Sequence, residues 1–308
     1  MTVAWWAWVA VIAFIMAMLA VDLLLHRDAH EIETREALTW SAIWVAIALA
    51  FGGVLWATLG PEAAGSYYAG WLIEKSLSVD NLFVFALLFS FFSVPTRYQH
   101  RVLFWGVLGA LVFRAIFIFA GAALLESFHW MIFVFGAFLV YTGIKLLRSS
   151  EIGVSPDKNP ILKFMRRRVR MTEEFHEDKF FVRKNGLRWA TPLLAVLIVV
   201  ETTDVLFAVD SIPAIFAVTT NTFIVFTSNA FAILGLRALY FLLAGVLDRF
   251  HYLKAGLAAV LVFVGVKMLI SDWYHVPIWA SLLTIAVLIG GSIVFSLRKT
   301  AAEGVEPA

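Results

Sequence analysis

The sequence predicts an all-α polytopic membrane protein of about nine transmembrane helices, with its N-terminus outside and its C-terminus in the cytoplasm. Three observations carry that reading. The 308 residues are 62% hydrophobic and only 15% charged, with a mean hydropathy of +0.88. A soluble globular chain is about half apolar and about a quarter charged, so a soluble enzyme of this size is excluded. The apolar residues gather into runs of spanning length, and the bases in the connections between those runs fall only in alternate ones.

Spans need about 20 apolar residues each. The runs lie near 3–25, 40–59, 67–93, 102–125, 130–147, 191–218, 222–246, 253–271 and 277–297. The first is a retained span and not a cleavable signal, because no base precedes it, it is too long, and Arg27 follows it. Trp5, Trp6 and Trp8 suit an interfacial aromatic anchor there. The second and ninth spans carry Gly52-Gly53 and Gly290-Gly291, which are expected to permit close helix packing. Phe-rich stretches such as Phe89, Phe91 and Phe92 read as lipid-facing or packing surface.

Orientation follows from the connections. Arg27 and Arg35, Arg97 and Arg101, the 149–190 segment, Arg249 and Lys254, and Arg298 and Lys299 all fall on one side. The intervening connections 60–66, 126–129, 219–221 and 272–276 hold no Lys or Arg. Bases mark the cytoplasmic side. The chain thus divides into spans one to five (1–148), a basic cytoplasmic loop (149–190), spans six to nine (191–297) and a cytoplasmic tail (298–308), disordered from Ala301. Residues 157–190 contain ten Lys or Arg against five Asp or Glu, including Arg166, Arg167, Arg168 and Arg170. This segment reads first as a topology determinant and solvated linker. Docking on anionic lipid or a cytoplasmic regulator is the alternative, and nucleic-acid binding is disfavoured because no aromatics interleave the bases.

The chain also resembles itself. Glu74-Lys75-Ser76-Leu77-Ser78-Val79-Asp80-Asn81 has a counterpart in Asp204-Val205-Leu206-Phe207-Ala208-Val209-Asp210-Ser211. Downstream, Arg114 matches Arg237, Phe128-His129-Trp130 matches Phe250-His251-Tyr252, and Gly143-Ile144-Lys145 matches Gly265-Val266-Lys267. Spans three to five (67–148) and six to eight (191–271) therefore read as two copies of a three-helix unit. Three is odd, so the second copy enters the membrane from the opposite side. Inverted repeats of this kind recur in secondary transporters, with the substrate site near the midplane.

Eight charges lie deep within spans: Glu74, Lys75, Asp80, Arg114, Glu201, Asp204, Asp210 and Arg237. Five acids facing lipid unpaired would cost on the order of 13–17 kcal/mol. They are therefore expected to face the interior, a partner or an ion. Five acids less three bases leave −2, which suits one divalent cation or two protons. Residues six apart on an unbroken helix diverge by about 240°, so Glu74 with Asp80, and Asp204 with Asp210, call for local unwinding if each pair is to face one point. Pro213 marks one expected break.

The ligand types narrow the ion. Besides the carboxylates, Asn81, Ser78, Thr203 and Ser211 offer only oxygen donors beside amide nitrogen, and no histidine lies at a span centre. With no cysteine, disulfides, thiolate metal sites and redox chemistry at sulfur are also excluded. Oxygen sites suit Mn²⁺, Ca²⁺ or Mg²⁺. Arg114 and Arg237 are expected to pair with or gate the acids, Lys75 to serve as a mobile counter-charge, and His129 and His251 to be structural. Asp22, near the inner end of the first span, reads equally as a cap or as a charge where ions enter.

These motifs carry a family resemblance. Glu74 to Asn81, together with Glu201-Thr202-Thr203-Asp204 through Asp210-Ser211-Ile212-Pro213-Ala214, resembles the TerC family of integral membrane proteins, and its alkali-induced branch most. Thr219-Thr220, Thr227-Ser228-Asn229 and Leu236-Arg237-Ala238-Leu239-Tyr240 share the likeness, which covers about residues 10–297. The resemblance implies export of Mn²⁺ across the bacterial inner membrane, with Glu74, Asp80, Glu201, Asp204 and Asp210 as the metal path. Asn81 joins them as a candidate ligand. No permanently bound cofactor is expected; the metal is cargo, with Ca²⁺ or Mg²⁺ as lesser candidates and protons as an exchange partner. The competing reading is a membrane scaffold or metal-delivery partner for exported proteins. An intramembrane enzyme is not expected, because no nucleophile–base pair lies at membrane depth.

Overall fold

Ten helices and one β-hairpin follow the apolar runs among the described residues. The structure is a computed structural model that describes residues 3–25, 34–128, 130–148, 169–172, 174–184, 186–243, 252–274 and 276–302. Within these, the side chains of 23–25, 34, 80, 83, 243 and 300–302 are not described. In chain order the elements are α1 (Trp5–Leu25), α2 (Thr34–Leu59), α3 (Pro61–Phe91), α4 (Thr96–Ser127) and α5 (Met131–Arg148). The hairpin β1 (Phe181–Lys184) and β2 (Leu187–Ala190) follows. Then come α6 (Pro192–Phe216), α7 (Thr222–Ile233), α8 (Leu236–Leu243), α9 (Leu253–Leu269) and α10 (Ile278–Ala302).

Seven segments are helical, long and apolar enough to cross a membrane, with α7 and α8 together forming one of them. The other two expected spans are α3 and α9. Helix α3 carries Glu74, Lys75 and Asp80 in its middle, and α9 is only 17 residues long. Both lie inside the bundle, where partners replace lipid: α3 touches α2, α6, α7 and α10, and α9 lies along α5. The polarity is that of a bilayer solvent. Val9, Trp56, Ile116 and Leu206 face outward, whereas Glu74 and Arg114 at the centre are buried.

The helix ends follow their sequences. Pro61 and Pro192 each occupy a first turn, where no intrahelical donor is lost. Asn221 caps α7, its Oδ1 accepting from the backbone N–H of Phe223 (3.1 Å) and Ile224 (3.3 Å).

Four expectations are corrected. Helices α3 and α6 run unbroken through Glu74–Asp80 and Asp204–Asp210. Pro213 lies in the last turn of α6, which ends at Phe216, so its ring costs little continuity. The break falls instead in the seventh span. Leu234 turns extended (ψ 132°) and Gly235 takes φ 81°, so α7 stops and α8 restarts. Gly235 has the left-handed backbone that glycine tolerates, and Trp44 lies where a Cβ would stand.

The second correction concerns the glycine pairs. Gly52 packs on Tyr68, but Gly53, Gly290 and Gly291 have nothing within 4 Å of a built Cβ. Close approach occurs between α5 and α9. A Cβ on Gly136 would lie 2.9 Å from the Gly265 carbonyl oxygen, and one on Gly265 would lie 2.7 Å from that of Gly136. Gly143 likewise sits over the Ala258 carbonyl at 2.8 Å. Small residues let these backbones meet.

The third and fourth corrections are at the margins. Trp5 and Trp6 are exposed as expected, but Trp8 packs inward against Phe119, Phe223 and Phe226. Helix α10 runs to Ala302, into the segment expected as a tail. Within the basic connection, residues 181–190 form the antiparallel hairpin, turning at Gly186. Its approach is tied to α4 by an Arg101–Asp178 ion pair and by Arg101 over the Phe180 ring at 5.5 Å. Arg166, Arg167 and Arg168 lie outside the described residues.

Candidate functional site

Arg114, from the middle of α4, is the hub of a buried polar cluster. Its guanidinium grips Asp204 of α6 with two prongs, Nη2 to Oδ1 at 2.9 Å and Nε to Oδ2 at 3.2 Å. Its Nη1 pairs with Glu74 Oε1 of α3 and also donates to Ser211 Oγ at 3.3 Å. Asn229 of α7 completes the ring, its Nδ2 donating to Glu74 Oε2 at 3.0 Å. All five residues are buried, none more than 3% exposed. Arginine suits the place because one planar fork can satisfy two carboxylates at once. A point charge such as lysine could not hold both in this geometry.

Glu74 and Asp204 are the two residues that the internal alignment pairs, and they converge here across α3 and α6. Because Glu74 and Asp204 meet across two helices, neither helix has to unwind to bring them together. Glu201, one turn before Asp204 on α6, lies against α4 instead. It fits because position 109 is glycine, and a Cβ there would fall within the Glu201 carboxylate. Glu201 Oε2 is buried without a hydrogen-bond partner, and so is Ser78 Oγ one turn after Glu74 on α3. Two orphaned oxygens flanking an ion-pair cluster are what a site for a polar guest would leave.

The remaining expected residues spread outward. Asp210 faces Thr142 and Lys145 of α5 and stands apart from the Arg114 cluster. Asn81 is buried on α3. Asp80 lies in α3, but its side chain is outside the described residues, as are His129 and His251. Thr203 is spent on its own helix, its Oγ1 donating to the Val199 carbonyl at 2.7 Å. Among the described residues Lys75 meets no carboxylate; its Nζ donates to the Ala232 carbonyl at 3.1 Å, in the last turn of α7 before the break. Ammonium at a helix C-terminus is favoured by the exposed carbonyls there.

Arg237, which aligns with Arg114 in the sequence, has a different setting. It pairs with Asp22 of α1, Nη2 to Oδ1 at 2.6 Å, and takes no part in the Arg114 cluster. That contact resolves Asp22 as an interhelical partner. Among the described residues, no three carboxylates or imidazoles gather around one point. Arg114 occupies the space between Glu74 and Asp204, so in this conformation the candidate acids hold a guanidinium where a metal would need them to hold an ion. Glu74, Asp204 and Glu201 against the one guanidinium leave a formal charge of −2.

Sequence reasoning missed Asn229, Gly109 and the Asp22–Arg237 contact. Asn229 had a signal, since Thr227-Ser228-Asn229 is a polar triple inside an apolar span. Gly109 had none.

Comparison with known proteins extends these motifs. The family model described as integral membrane protein TerC family matches residues 59–303. A Myxococcus xanthus protein, described as uncharacterized membrane protein STKORF319, is 55% identical over 294 residues, covering 95% of this chain and 92% of its own length. Alx of Escherichia coli K12, whose name describes a membrane-bound redox modulator, is 53% identical over 288 residues, covering 90% and 89% respectively. A Rickettsia felis membrane protein is 40% identical over 295 residues, with 95% and 98% covered. No solved structure matches. With the matched region spanning every helix from α3 to α10 and relatives aligned over nine-tenths of the chain, the protein belongs to the TerC family of integral membrane proteins.

Proposed function

We propose that this multi-pass membrane protein exports a hard divalent cation, Mn²⁺ foremost, across the bacterial inner membrane by alternating access. The single observation that carries the reading is the meeting of Glu74 and Asp204, repeat-related acids from different helices, on the buried guanidinium of Arg114. A buried pair of carboxylates sharing one cationic partner is expensive to maintain as structure alone. It makes sense as a site in which Arg114 stands in for the cargo. Arrival of the ion would release the guanidinium, and departure would draw it back, so the acids are never left bare. Ser78 Oγ and Glu201 Oε2 supply unclaimed oxygens beside them. Oxygen-only donors favour Mn²⁺, Ca²⁺ and Mg²⁺ over softer metals.

The inverted repeat is part of the same proposal. Under the sequence alignment Gly143 corresponds to Gly265 and Gly136 to Ala258, and the close contacts are Gly143 with Ala258 and Gly265 with Gly136. Each contact maps onto the other, as a two-fold axis between α5 and α9 requires. The seventh span is discontinuous next to Lys75, which suits midplane sites on broken helices. The N-terminus is placed outside on the charge asymmetry of the connections. A redox role like that in the name of the E. coli relative would have to proceed here without thiols, since the chain has no cysteine.

The test is reconstituted transport of Mn²⁺ against Ca²⁺ and Mg²⁺, with an internal pH probe. Wild-type vesicles should move Mn²⁺, and Glu74→Gln and Asp204→Asn should abolish the flux while the protein stays folded. An internal pH change in step with the metal marks proton exchange, and its absence leaves Lys75 as the returning charge. Full transport by both folded variants would refute the site.

A further inference from the structure

At the end of the bundle whose connections lack bases, a cavity of about 470 Å³ opens between α3, α4 and the α6–α7 turn. Two carboxylates, Glu62 and Glu126, stand in its wall with Ser66, Thr219 and Thr220. Among the described residues no Lys or Arg lines it. Glu62 and Ser66 are four apart on α3 and share a face. Ser66 is 4% exposed, points into the cavity and makes no hydrogen bond among the described residues. A hydroxyl on an otherwise buried residue, open to the cavity and without a protein partner among the described residues, is free to meet a ligand or its hydration shell.

We propose that this cavity is a second cation site, binding a hard divalent ion in partly hydrated form. The space exceeds what a stripped ion needs and leaves room for waters to complete its shell. Two carboxylates with hydroxyl oxygens are donors for Mn²⁺, Ca²⁺ or Mg²⁺, and offer nothing to a soft metal. Among the described residues the opposing field is that of the α7 N-terminus, and Asn221 Oδ1 caps it. Lys267 lines a neighbouring cavity of about 770 Å³ that Glu62 also borders, and is not among the residues lining the proposed site.

The cavity leads toward the buried cluster and is shut from it. Ser66, Gly70 and Glu74 fall four apart on α3, so Glu74 lies about 12 Å further along the helix. Between them Gly70 packs on Ser228 of α7, a Cβ there falling 2.8 Å from Ser228 Oγ and 3.1 Å from Ile215 Cγ2. The site therefore sits outside a closed contact, where a weakly held ion would wait after release. That role rests on the export reading; binding does not.

The experiment measures Mn²⁺ binding by electron paramagnetic resonance to full-length protein in nanodiscs, in a Glu74→Gln/Asp204→Asn background that removes the central acids. One weak site should remain, with Kd on the order of 10⁻⁴–10⁻³ M, as in shallow hydrated sites. Adding Glu62→Gln/Glu126→Gln should weaken it at least tenfold, with Ca²⁺ competing in the parent. An unchanged isotherm after the second pair of substitutions, or no Mn²⁺ binding in the parent, overturns the proposal. Transport assayed separately keeps the two readings distinct. A Glu74→Gln/Asp204→Asn protein that still moves Mn²⁺ refutes the central site while leaving the outer one standing.

Discussion

Glu201 owes its place to Gly109. The carboxylate fills the volume that any side chain at position 109 would need, and one of its oxygens is buried without a partner. Gly109→Ala should therefore push Glu201 away from α4 and out of register with Asp204 one turn later. Overpacking at a buried contact costs roughly 1–3 kcal/mol, so the variant should fold with a lowered melting temperature. Its Mn²⁺ flux should fall by more than tenfold. Equal flux in Gly109→Ala and wild type would show that Glu201's position is immaterial to transport.

Arg114 should be both structurally necessary and partly replaceable by cargo. Arg114→Met leaves Glu74 and Asp204 buried without their shared cation, a change worth roughly 3–5 kcal/mol. Arg114→Lys restores charge but not the fork that reaches both acids, so it should recover only part of that loss. If the cation takes the guanidinium's place, added Mn²⁺ will raise the melting temperature of Arg114→Met more than that of wild type. A purely structural Arg114 would show no such difference, and thermal denaturation in detergent with graded Mn²⁺ reads the two outcomes directly.

How much of this was legible in the chain depends on how far each residue's role is local. The all-helical membrane class was readable, with seven of the nine expected spans long and apolar enough to cross a membrane, and so was the burial of Glu74 and Asp204, because insertion of charge into lipid is costly whatever the neighbours are. The pairing of Glu74 with Asp204 was foreshadowed by the alignment of the two motifs, whereas the unwinding expected from the spacing of Glu74 and Asp80 was not found. That inference assumed both acids serve one point on one helix. In the structure Glu74 looks across to α6, and Asp210 looks toward Thr142 and Lys145. Arg114 and Arg237 align in sequence, yet one meets Glu74 and Asp204 and the other meets Asp22, because α1 packs where it offers a partner to Arg237. Such differences come from packing and leave no trace in the motif itself.

The Arg237–Asp22 pair should behave as an interhelical tie and not as part of the transport path. Its groups are 5% and 14% exposed, so most of the interaction survives solvent screening. Asp22→Asn and Arg237→Gln should each destabilise the protein, and the double variant should cost less than their sum, with a coupling of about 1.5–3 kcal/mol. At a temperature where all three remain folded, Mn²⁺ flux should stay within a few-fold of wild type. Additive losses in denaturant or thermal unfolding would mean the contact carries no energy.

The α5–α9 seam offers a test with an internal control. A Cβ on Gly265 would meet the Gly136 carbonyl oxygen at 2.7 Å and the Val140 amide nitrogen at 2.9 Å, both backbone atoms that cannot swing aside. Gly265→Val must therefore separate the two helices, lowering stability by roughly 1–3 kcal/mol. Gly136→Val strikes the same contact from the other side, so the double variant should lose less than the two single losses combined. Gly290→Ala, with nothing within 4 Å of its Cβ, should be neutral or slightly stabilising. If α5 and α9 also slide on each other during transport, Gly265→Val will slow Mn²⁺ flux beyond what its melting temperature explains. A flux loss matching that of an equally destabilised Arg237→Gln would assign the seam to stability alone.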